Sequence, residues 1–222
     1  MAPPFLPTLY HVPWFCSSIA AQLVAELSIP PTALSVVTLT IVELRTGPEI
    51  LAVSPRRVVP ALALPDGTCI TEVGAIVMYI LETFDREGTL HPKVGPERAR
   101  FLQALFYVVS ECYKAAFAVF LMCFSVTPKL VRLDREERDA ERWKEVTGKF
   151  KTVVIDHIVR EIGDAGRKYY LGEKLSAADF MFGYILMWVD SCDEGLLDHP
   201  VVQEYYGRLK ARPMHISLYL ES

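Results

Sequence analysis

The feature that most constrains this chain is a change of pattern at residues 85–96. Glycine and proline interrupt regular structure, and this segment holds four of them: Gly88, Pro92, Gly95 and Pro96. Short strand-like and helix-like segments alternate before it, whereas only helical periodicity follows it. The sequence therefore predicts an α/β domain at 1–84, a linker at 85–96 and an all-α domain at 97–222.

The predicted order of elements before the linker is β-α-β-α-β-β-α. Strands are expected where β-branched residues cluster, and helices where apolar residues recur every three or four positions. These elements are the strand Thr8–Val12, helix Ser18–Leu27, strand Leu34–Val42, helix Pro48–Val53, strands Val58–Leu64 and Thr68–Ile70, and helix Glu72–Thr83. The helices predicted beyond the linker are Glu97–Phe124, Arg135–Gly163, Ala177–Ser191 and Val201–Ala211.

Charge and hydropathy argue against two classes of partner. Acidic residues number 27 and basic residues 23, giving a net charge of −4, whereas a nucleic-acid footprint needs a basic excess. The start of the chain lacks the basic residues and apolar run of a signal peptide. In the most apolar stretch, Phe101–Val126, charged residues leave an apolar run shorter than the roughly 18 residues that span a membrane. We expect a buried helix there, with no membrane and no nucleic acid as partner.

The cysteines show no pattern of a structural site. The chain has five: Cys16, Cys69, Cys112, Cys123 and Cys192. None has C-x-x-C spacing, and the histidines form no ligand cluster beside them. The odd count and wide spacing argue against a disulfide scaffold and a zinc site. A reducing, cytoplasmic location and no metal are expected.

The segment Arg57–Leu62 contains a proline at the start of a predicted strand. An edge strand tolerates such a proline, because the missing N–H can face outward. The alternative is a cis Val59–Pro60 bond, which would let Val59 offer its N–H and C=O to an extended peptide ligand.

A helix start is predicted at Thr71-Glu72-Val73. Thr71 can cap the helix, and Glu72 complements its positive end. The first N–H groups of a helix also form an anion site, so a ligand carboxylate could bind the N–H of Val73.

Cys16, Ser17 and Ser18 lie where the first helix is predicted to begin. A helix N-terminus lowers the pKa of a thiol, whether it belongs to the protein or to a ligand. The alternative is that a serine caps the helix and Cys16 only packs.

Ser176 and Asp179 have the spacing of a capping box, flanked by Leu175 and Phe180 as a hydrophobic staple. This pattern indicates a structural helix start.

Together these segments resemble the glutathione transferase superfamily over roughly Thr8–Ala211. The segments that carry the resemblance are the strand with Tyr10, the S-P-x-x-x-V-P segment Ser54–Pro60, the run Glu72–Tyr79, and Gly172 followed by Ser176-Ala177-Ala178-Asp179. The resemblance implies a thioredoxin-like N-terminal domain followed by an all-helical C-terminal domain.

Glutathione is the cofactor that the resemblance implies. Val59 would pair with its cysteinyl part beside cis Pro60, Glu72 and Val73 would hold the γ-glutamyl end, and Arg45 would lie near the glycyl carboxylate. A small electrophile would bind between the domains, against aromatic residues that could equally be core: Trp14, Phe15, Phe106, Tyr107 and Tyr113. A homodimer is also implied.

The loop Pro13–Ser17, P-x-x-C-S, is most similar to the beta class, and the zeta class, which includes cis–trans isomerases, has a comparable loop. Three departures stand out. Val73 replaces the usual serine, Arg57 replaces the usual glycine, and Tyr10 lies in a strand rather than where mammalian-type classes place their catalytic tyrosine.

The leading hypothesis is a glutathione S-transferase-like enzyme that adds the glutathione thiolate to a small electrophile. Cys16, Ser17 or Ser18 would stabilise the thiolate. Release of the adduct is conjugation, whereas elimination after bond rotation is cis–trans isomerisation, as in biosynthetic pathways. The alternative is a non-catalytic binding or scaffold module of the same family.

Overall fold

The computed structural model describes residues 6–125, 131–192 and 194–212. Within these residues the chain forms two compact units. The first contains the chain up to Lys93 together with Ala211 and Arg212, and the second contains Val94–Lys210. The change from one unit to the other falls inside the predicted linker.

The first unit is built on a mixed four-stranded sheet. Its elements are β1 (Thr8–His11), α1 (Ser17–Glu26), β2 (Ser35–Thr38), α2 (Ile41–Thr46), α3 (Pro48–Val53), β3 (Ala61–Ala63), β4 (Cys69–Thr71) and α4 (Val73–Phe84). In space the strands follow the order β2-β1-β3-β4. β1 is parallel to β2, while β1–β3 and β3–β4 are antiparallel. This is the predicted thioredoxin-like arrangement with one helix added.

Helices cover both faces of this sheet because side chains alternate along its strands. Tyr10 and Ala61 face Leu44 of α2 and Ile50 of α3 in one buried cluster. Leu9 is fully buried and points to the opposite face, where α1 packs against α4 and β1. Both faces of the sheet's interior strands are therefore covered by helices.

The added helix, α2, corrects the predicted strand Leu34–Val42. β2 ends at Thr38, and Thr40 starts α2 with a capping box. The Glu43 N–H donates to Thr40 Oγ1 at 3.1 Å, and the Thr40 N–H donates to Glu43 Oε2 at 2.7 Å. The strand prediction was wrong because this cap satisfies the backbone as a helix despite the β-branched residues.

The second unit is mostly helical. Its elements are α5 (Gly95–Cys123), β5 (Phe124–Ser125), β6 (Val131–Arg132), a 3₁₀ turn (Arg135–Glu137), α6 (140–164), α7 (Ala177–Asp190) and α8 (Pro200–Lys210). Residues Val108–Cys112 of α5 and two stretches of α6, Lys151–Ile155 and Val159–Asp164, are π-helical. The short antiparallel pair β5–β6 was not predicted.

The centre of this unit is α7, in which residues 177–189 are all buried. A helix that is buried on every side is hydrophobic all round, and Asp179 is the one charged residue in this stretch. The predicted capping box at Ser176 and Asp179 is confirmed.

Asp179 joins three segments of the chain. Its Oδ2 accepts bonds from the N–H and the hydroxyl of Ser176, each at 2.8 Å. Its Oδ1 accepts bonds from the Tyr170 N–H and the Tyr205 hydroxyl, also at 2.8 Å. Burial raises the pKa of the Asp179 carboxyl, although these hydrogen bonds oppose the rise. The residue therefore has a structural role.

Helix α5 is long and apolar enough to cross a membrane by length and composition alone. About a third of its most apolar window, 33%, is buried inside the protein. The buried side includes Phe101, Ala104 and Val119, and the helix packs against α6 and α7. Core packing therefore accounts for part of its apolar character. The predicted buried helix is confirmed only in part, and the expectation that its apolar run is too short to span a membrane was wrong.

Candidate functional site

The loop between β1 and α1 places Cys16 at the first turn of α1. Cys16 is the N-cap residue, and Ser17 begins the helix. The Cys16 thiol donates to the carbonyl oxygen of Val59 at 3.3 Å. Trp14, two residues earlier, has a φ of 69°, a value uncommon for residues other than glycine. The loop thus turns sharply and brings Cys16 next to Val59, which lies just before the first residue of β3.

Ser17 holds this loop from inside the protein. Its side chain is fully buried, accepts from the Val12 N–H at 3.1 Å and donates to the Val12 carbonyl at 3.1 Å. His11 Nδ1 lies 3.0 Å from the same hydroxyl. Burial lowers the pKa of His11 to about 4, so the imidazole is neutral at physiological pH. The Ser17 hydroxyl therefore makes its hydrogen bonds within the turn.

Ser18 is also fully buried. Its hydroxyl makes no hydrogen bond within the described part of the chain. Of the three residues predicted to stabilise a thiolate, Cys16 alone is partly exposed.

The Val59–Pro60 peptide bond is cis, as one of the two interpretations of this segment predicted. The edge-strand interpretation is wrong, because β3 lies between β1 and β4. Sheet pairing of β3 starts at Ala61, so Val59 lies just outside the ladder. Its backbone is turned toward the Cys16 loop.

Ser54 fixes the loop that precedes the cis bond. Its hydroxyl accepts from the Val58 N–H at 3.0 Å, and its carbonyl accepts from the Arg57 N–H at 2.8 Å. These bonds explain the serine of the S-P-x-x-x-V-P segment, because its side chain and carbonyl hold the loop together.

Arg57 replaces the family's usual glycine and keeps a glycine-like backbone. Its φ is 53°, which a side chain makes costly. The Arg57 guanidinium donates to the carbonyls of Leu44 at 3.3 Å and Gly47 at 3.1 Å. Because these carbonyls end α2 and carry its negative dipole end, the side chain offsets the cost of the conformation.

Glu72 links β4 to α4 with an unusual backbone. Its φ is 81° and it is the N-cap of α4, whereas Thr71 belongs to β4, so the predicted Thr71 cap is wrong. Arg56 Nη2 lies 3.4 Å from the Glu72 carboxylate and donates to Thr71 Oγ1 at 3.2 Å. Both charged side chains are about two-thirds exposed, 67% and 69%.

Arg56 is a residue that the sequence analysis missed. It lies in the Ser54–Pro60 segment, in which Val59 and Pro60 were the predicted binding residues. Its pairing with Glu72 spans 16 positions, so no local signal could reveal it.

The two remaining predicted binding residues differ in exposure. Val73, the first residue of α4, is 8% exposed, and Arg45 is exposed in the last turn of α2.

The five predicted aromatic residues are divided between the units. Trp14 and Phe15 lie exposed in the Cys16 loop of the first unit. In the second unit, Phe106 is 70% exposed on α5, and the Tyr107 hydroxyl donates to the Val153 carbonyl at 2.8 Å. The Tyr113 ring lies 4.9 Å from that of Trp188. The pocket predicted from these residues stays a prediction.

No cluster of three or more His, Cys, Asp or Glu side chains suited to a metal ion occurs among the residues with described positions. The polar groups that the structure describes at this site are the Cys16 thiol, the Val59 carbonyl, and the side chains of Arg56, Arg57 and Glu72.

Two family models match the chain. The glutathione S-transferase N-terminal domain matches residues 23–88, and the C-terminal domain matches residues 124–222. The Cys16 loop lies before both matched segments.

A curated protein with a similar sequence is also a glutathione S-transferase. Glutathione S-transferase GstA of Escherichia coli O157:H7 is 32% identical over 106 residues, which is 48% of this chain and 52% of that protein. The match thus spans about half the length of this curated relative.

Solved structures share the fold. A glutathione transferase family member from Pseudomonas fluorescens Pf-5, with two glutathione bound, has a TM-score of 0.77 at 21% identity, covering 96% of this chain and 92% of that one. Ure2p in complex with glutathione has a TM-score of 0.76 at 21% identity, covering 97% of this chain and 99% of that one. Because models of one family match both halves and the fold agrees, the chain belongs to the glutathione transferase superfamily.

Proposed function

We propose that this protein binds glutathione and uses its thiolate on a small electrophilic molecule. The observation that supports the proposal most directly is the contact between Cys16 and Val59. A thiol at the N-terminus of α1 lies 3.3 Å from the carbonyl that precedes a cis proline. Family membership supports glutathione as the ligand, since relatives were solved with it bound.

Val59 would hold the cysteinyl part of glutathione through its main chain. A peptide that pairs with a strand end donates its N–H to a carbonyl and accepts from an N–H. The ligand's N–H can replace the Cys16 thiol as the donor to the Val59 carbonyl. The Cys16 S–H would then be available to the ligand sulfur.

The γ-glutamyl end would bind at Glu72 and Val73. The Glu72 carboxylate can accept hydrogen bonds from the ligand's ammonium group, and the Val73 N–H at the start of α4 can bind its carboxylate. Arg56 Nη2 lies 3.4 Å from the same carboxylate. Arg45 would approach the glycyl carboxylate, because Arg57 ties the end of α2 to the loop that carries Val59.

The positive end of α1 and the Cys16 S–H would stabilise the ligand thiolate. The thiol proton leaves to solvent. The sulfur lone pair then forms a C–S bond to a carbon of the electrophile, while either the bond from that carbon to a leaving group breaks or the π electrons of a conjugated double bond move onto its acceptor group. Trp14 and Phe15 would contact that molecule. Release of the adduct gives conjugation. Rotation followed by cleavage of the C–S bond regenerates the thiolate and gives isomerisation.

Calorimetry with glutathione and S-methylglutathione tests the binding site. Both ligands should bind the wild type, since the contacts at Val59, Glu72 and Val73 do not need the thiol. Glu72→Gln should weaken both by about tenfold, through loss of a charge-assisted bond worth roughly 1.5 kcal/mol. Glu87→Gln, at an exposed carboxylate of the same unit, is the matched control. No heat of binding with either ligand would overturn the proposal.

A non-catalytic glutathione-binding module is the second candidate. Val73 lacks the hydroxyl of the family's usual serine, and the Ser17 hydroxyl is committed to His11 and Val12. A thiol-conjugation assay with a generic electrophile separates the module from a conjugating enzyme. Binding without turnover of any electrophile tried would favour the module or a specialised isomerase.

A further inference from the structure

The first unit contains a cavity between helix α1 and the edge strand β2. Its volume is about 440 Å³, which lies within the usual range of small-molecule sites. The other two of its eight lining residues, His11 and Thr38, end the strands β1 and β2. Val36 and Thr38 are exposed, so the cavity opens to solvent along β2. Six of the lining residues are apolar: Pro13, Ala21, Val24, Ala25, Ile29 and Val36.

The sequence explains why space remains here. His11 follows Leu9 by two positions, so its side chain lies on the face of the sheet that α1 covers. Thr38 pairs with His11 in the parallel register and shares that face. Ala21 and Ala25 are four positions apart and are therefore neighbours on one side of α1. Because both side chains end at a methyl group, α1 leaves the space beside β2 unfilled.

His11 brings a polar group into this mostly apolar lining. The residue is 3% exposed, and its Nδ1 lies 3.0 Å from the Ser17 hydroxyl. That hydroxyl donates its one proton to the Val12 carbonyl, so Nδ1 carries the ring proton and donates to Ser17. Burial keeps the imidazole neutral, since it lowers the pKa of His11 to about 4. Nε2 is therefore an acceptor, and it makes no hydrogen bond to any residue that the structure describes.

The lining selects the chemistry of an occupant. With a neutral imidazole, none of the lining side chains carries a charge that could balance an ion, and an unpaired charge in an apolar site is costly. A buried water typically makes about three hydrogen bonds, whereas the side chains here offer one buried acceptor, because Thr38 is exposed. The occupant that fits is uncharged, mainly apolar and carries one hydrogen-bond donor.

We propose that this cavity is a second small-molecule site, which binds a phenol or another hydroxyl compound with an apolar body. The ligand's O–H donates to His11 Nε2, and its apolar body packs against Ala21, Val24 and Ile29. None of the lining residues is among those proposed to bind glutathione or the electrophile. The site therefore does not depend on the proposed function, and the failure of either leaves the other intact.

Calorimetry of the full chain with 2-naphthol and its methyl ether, 2-methoxynaphthalene, tests the site. 2-Naphthol should bind the wild type several-fold more tightly, because the ether lacks the donor. Ala25→Phe, which fills the cavity from α1, should abolish 2-naphthol binding. Ala52→Phe, at an exposed alanine of α3 outside the lining, is the matched control and should leave it unchanged. Absence of 2-naphthol binding to the wild type, or its retention by Ala25→Phe, would overturn the proposal.

Nitrogen NMR of labelled histidine tests the acceptor directly. Near neutral pH, His11, assigned through its neighbours along the chain, should be protonated at Nδ1 and unprotonated at Nε2. 2-Naphthol should shift the Nε2 resonance more than 2-methoxynaphthalene does. His11→Phe should bind both compounds with similar affinity, and the NMR measurement decides the question even if that variant does not fold. A proton on Nε2, or an Nε2 resonance that 2-naphthol leaves unmoved, contradicts the assignment of His11 as the acceptor.

Discussion

The Cys16 thiol and the Val59 carbonyl oxygen lie 3.3 Å apart, although 43 positions separate them in the sequence. This contact joins the start of α1 to the residue before the cis proline. The sulfur of a glutathione molecule paired with Val59 would lie beside the same thiol. Under the proposed function, Cys16 would therefore connect ligand binding with thiolate stabilisation.

Cys16→Ala is expected to reduce turnover several-fold while leaving glutathione affinity nearly unchanged. Loss of one hydrogen bond to the thiolate, worth roughly 0.5–1.5 kcal/mol, should raise the pKa of the bound thiol by up to about one unit. A pH titration of thiolate absorbance in the glutathione complex measures this shift. An unchanged thiol pKa would mean that Cys16 is not the stabilising group.

Ser17→Ala serves as the contrast in that experiment. Its hydroxyl bridges His11 and Val12, so its loss should lower the melting temperature rather than move the thiol pKa. If Ser17→Ala raises the pKa of the bound glutathione thiol, then Ser17 rather than Cys16 is the donor. Cys69→Ala, in the exposed part of β4, should change neither quantity.

Val73→Ser is expected to tighten glutathione binding by roughly 0.5–1.5 kcal/mol, because it adds one hydroxyl donor at the start of α4. Val73→Ala is the matched control, since it removes the valine methyl groups without adding a hydroxyl. Calorimetry measures both. Equal affinities for the serine and alanine variants would contradict the predicted γ-glutamyl contact.

Asp179→Ala is expected to destabilise the second unit by about 2–4 kcal/mol. The substitution leaves four buried donors without their acceptor, and each unpaired buried group is costly. Chemical denaturation measures the loss, with Asp164→Ala at an exposed position of α6 as control. If the variant kept wild-type stability but lost activity, Asp179 would have a chemical role.

Asp85 should make the stability of the first unit depend on acid pH. Burial alone would raise its pKa, but hydrogen bonds from the Leu90 N–H and from Thr89 outweigh it and lower the pKa from 3.8 to about 2. A depressed pKa in the folded state gives stability that is full above the ordinary pKa and is lost as pH falls toward 2.

Asp85→Asn should remove this dependence. Comparing melting temperatures of the variant and the wild type between about pH 5 and pH 2 measures it. The difference between the two proteins should shrink as the pH falls. A difference that stayed constant over this range would contradict the assignment.

A homodimer is expected from family resemblance. The first unit exposes apolar side chains on α2 and α3, where Ile41, Val42 and Leu51 are 46%, 67% and 44% exposed. Apolar groups of this kind are typical of interfaces. Sedimentation at micromolar concentration should give twice the chain mass, and Val42→Glu should shift it toward the monomer. A wild-type monomer would refute the expectation.

Local patterns predicted much of the fold. Hydrophobic periodicity and the glycines and prolines of the linker were sufficient for the two-part organisation, and Ser176 with Asp179 was readable as a helix start. The strand prediction at Leu34–Val42 failed because the Thr40–Glu43 cap was overlooked. The pair β5–β6 is too short to leave a periodic signal.

The site was predicted less completely, because its geometry depends on contacts distant in sequence. Arg56 reaches Glu72, and Arg57 reaches the end of α2, through folding of the whole first unit. The burial of Ser17 and Ser18 likewise follows from packing of α1 against the sheet. No spacing rule could separate them from Cys16.

Arg57 links the backbone of its own loop to the end of α2. The family's usual glycine adopts its backbone freely, whereas Arg57 relies on an anchor at the carbonyls of Leu44 and Gly47. A return to glycine would regain backbone freedom and lose the tether that holds the end of α2. A substitution at position 57 would therefore change two parts of the first unit at once, the backbone of the loop before Val59 and the support of the last turn of α2.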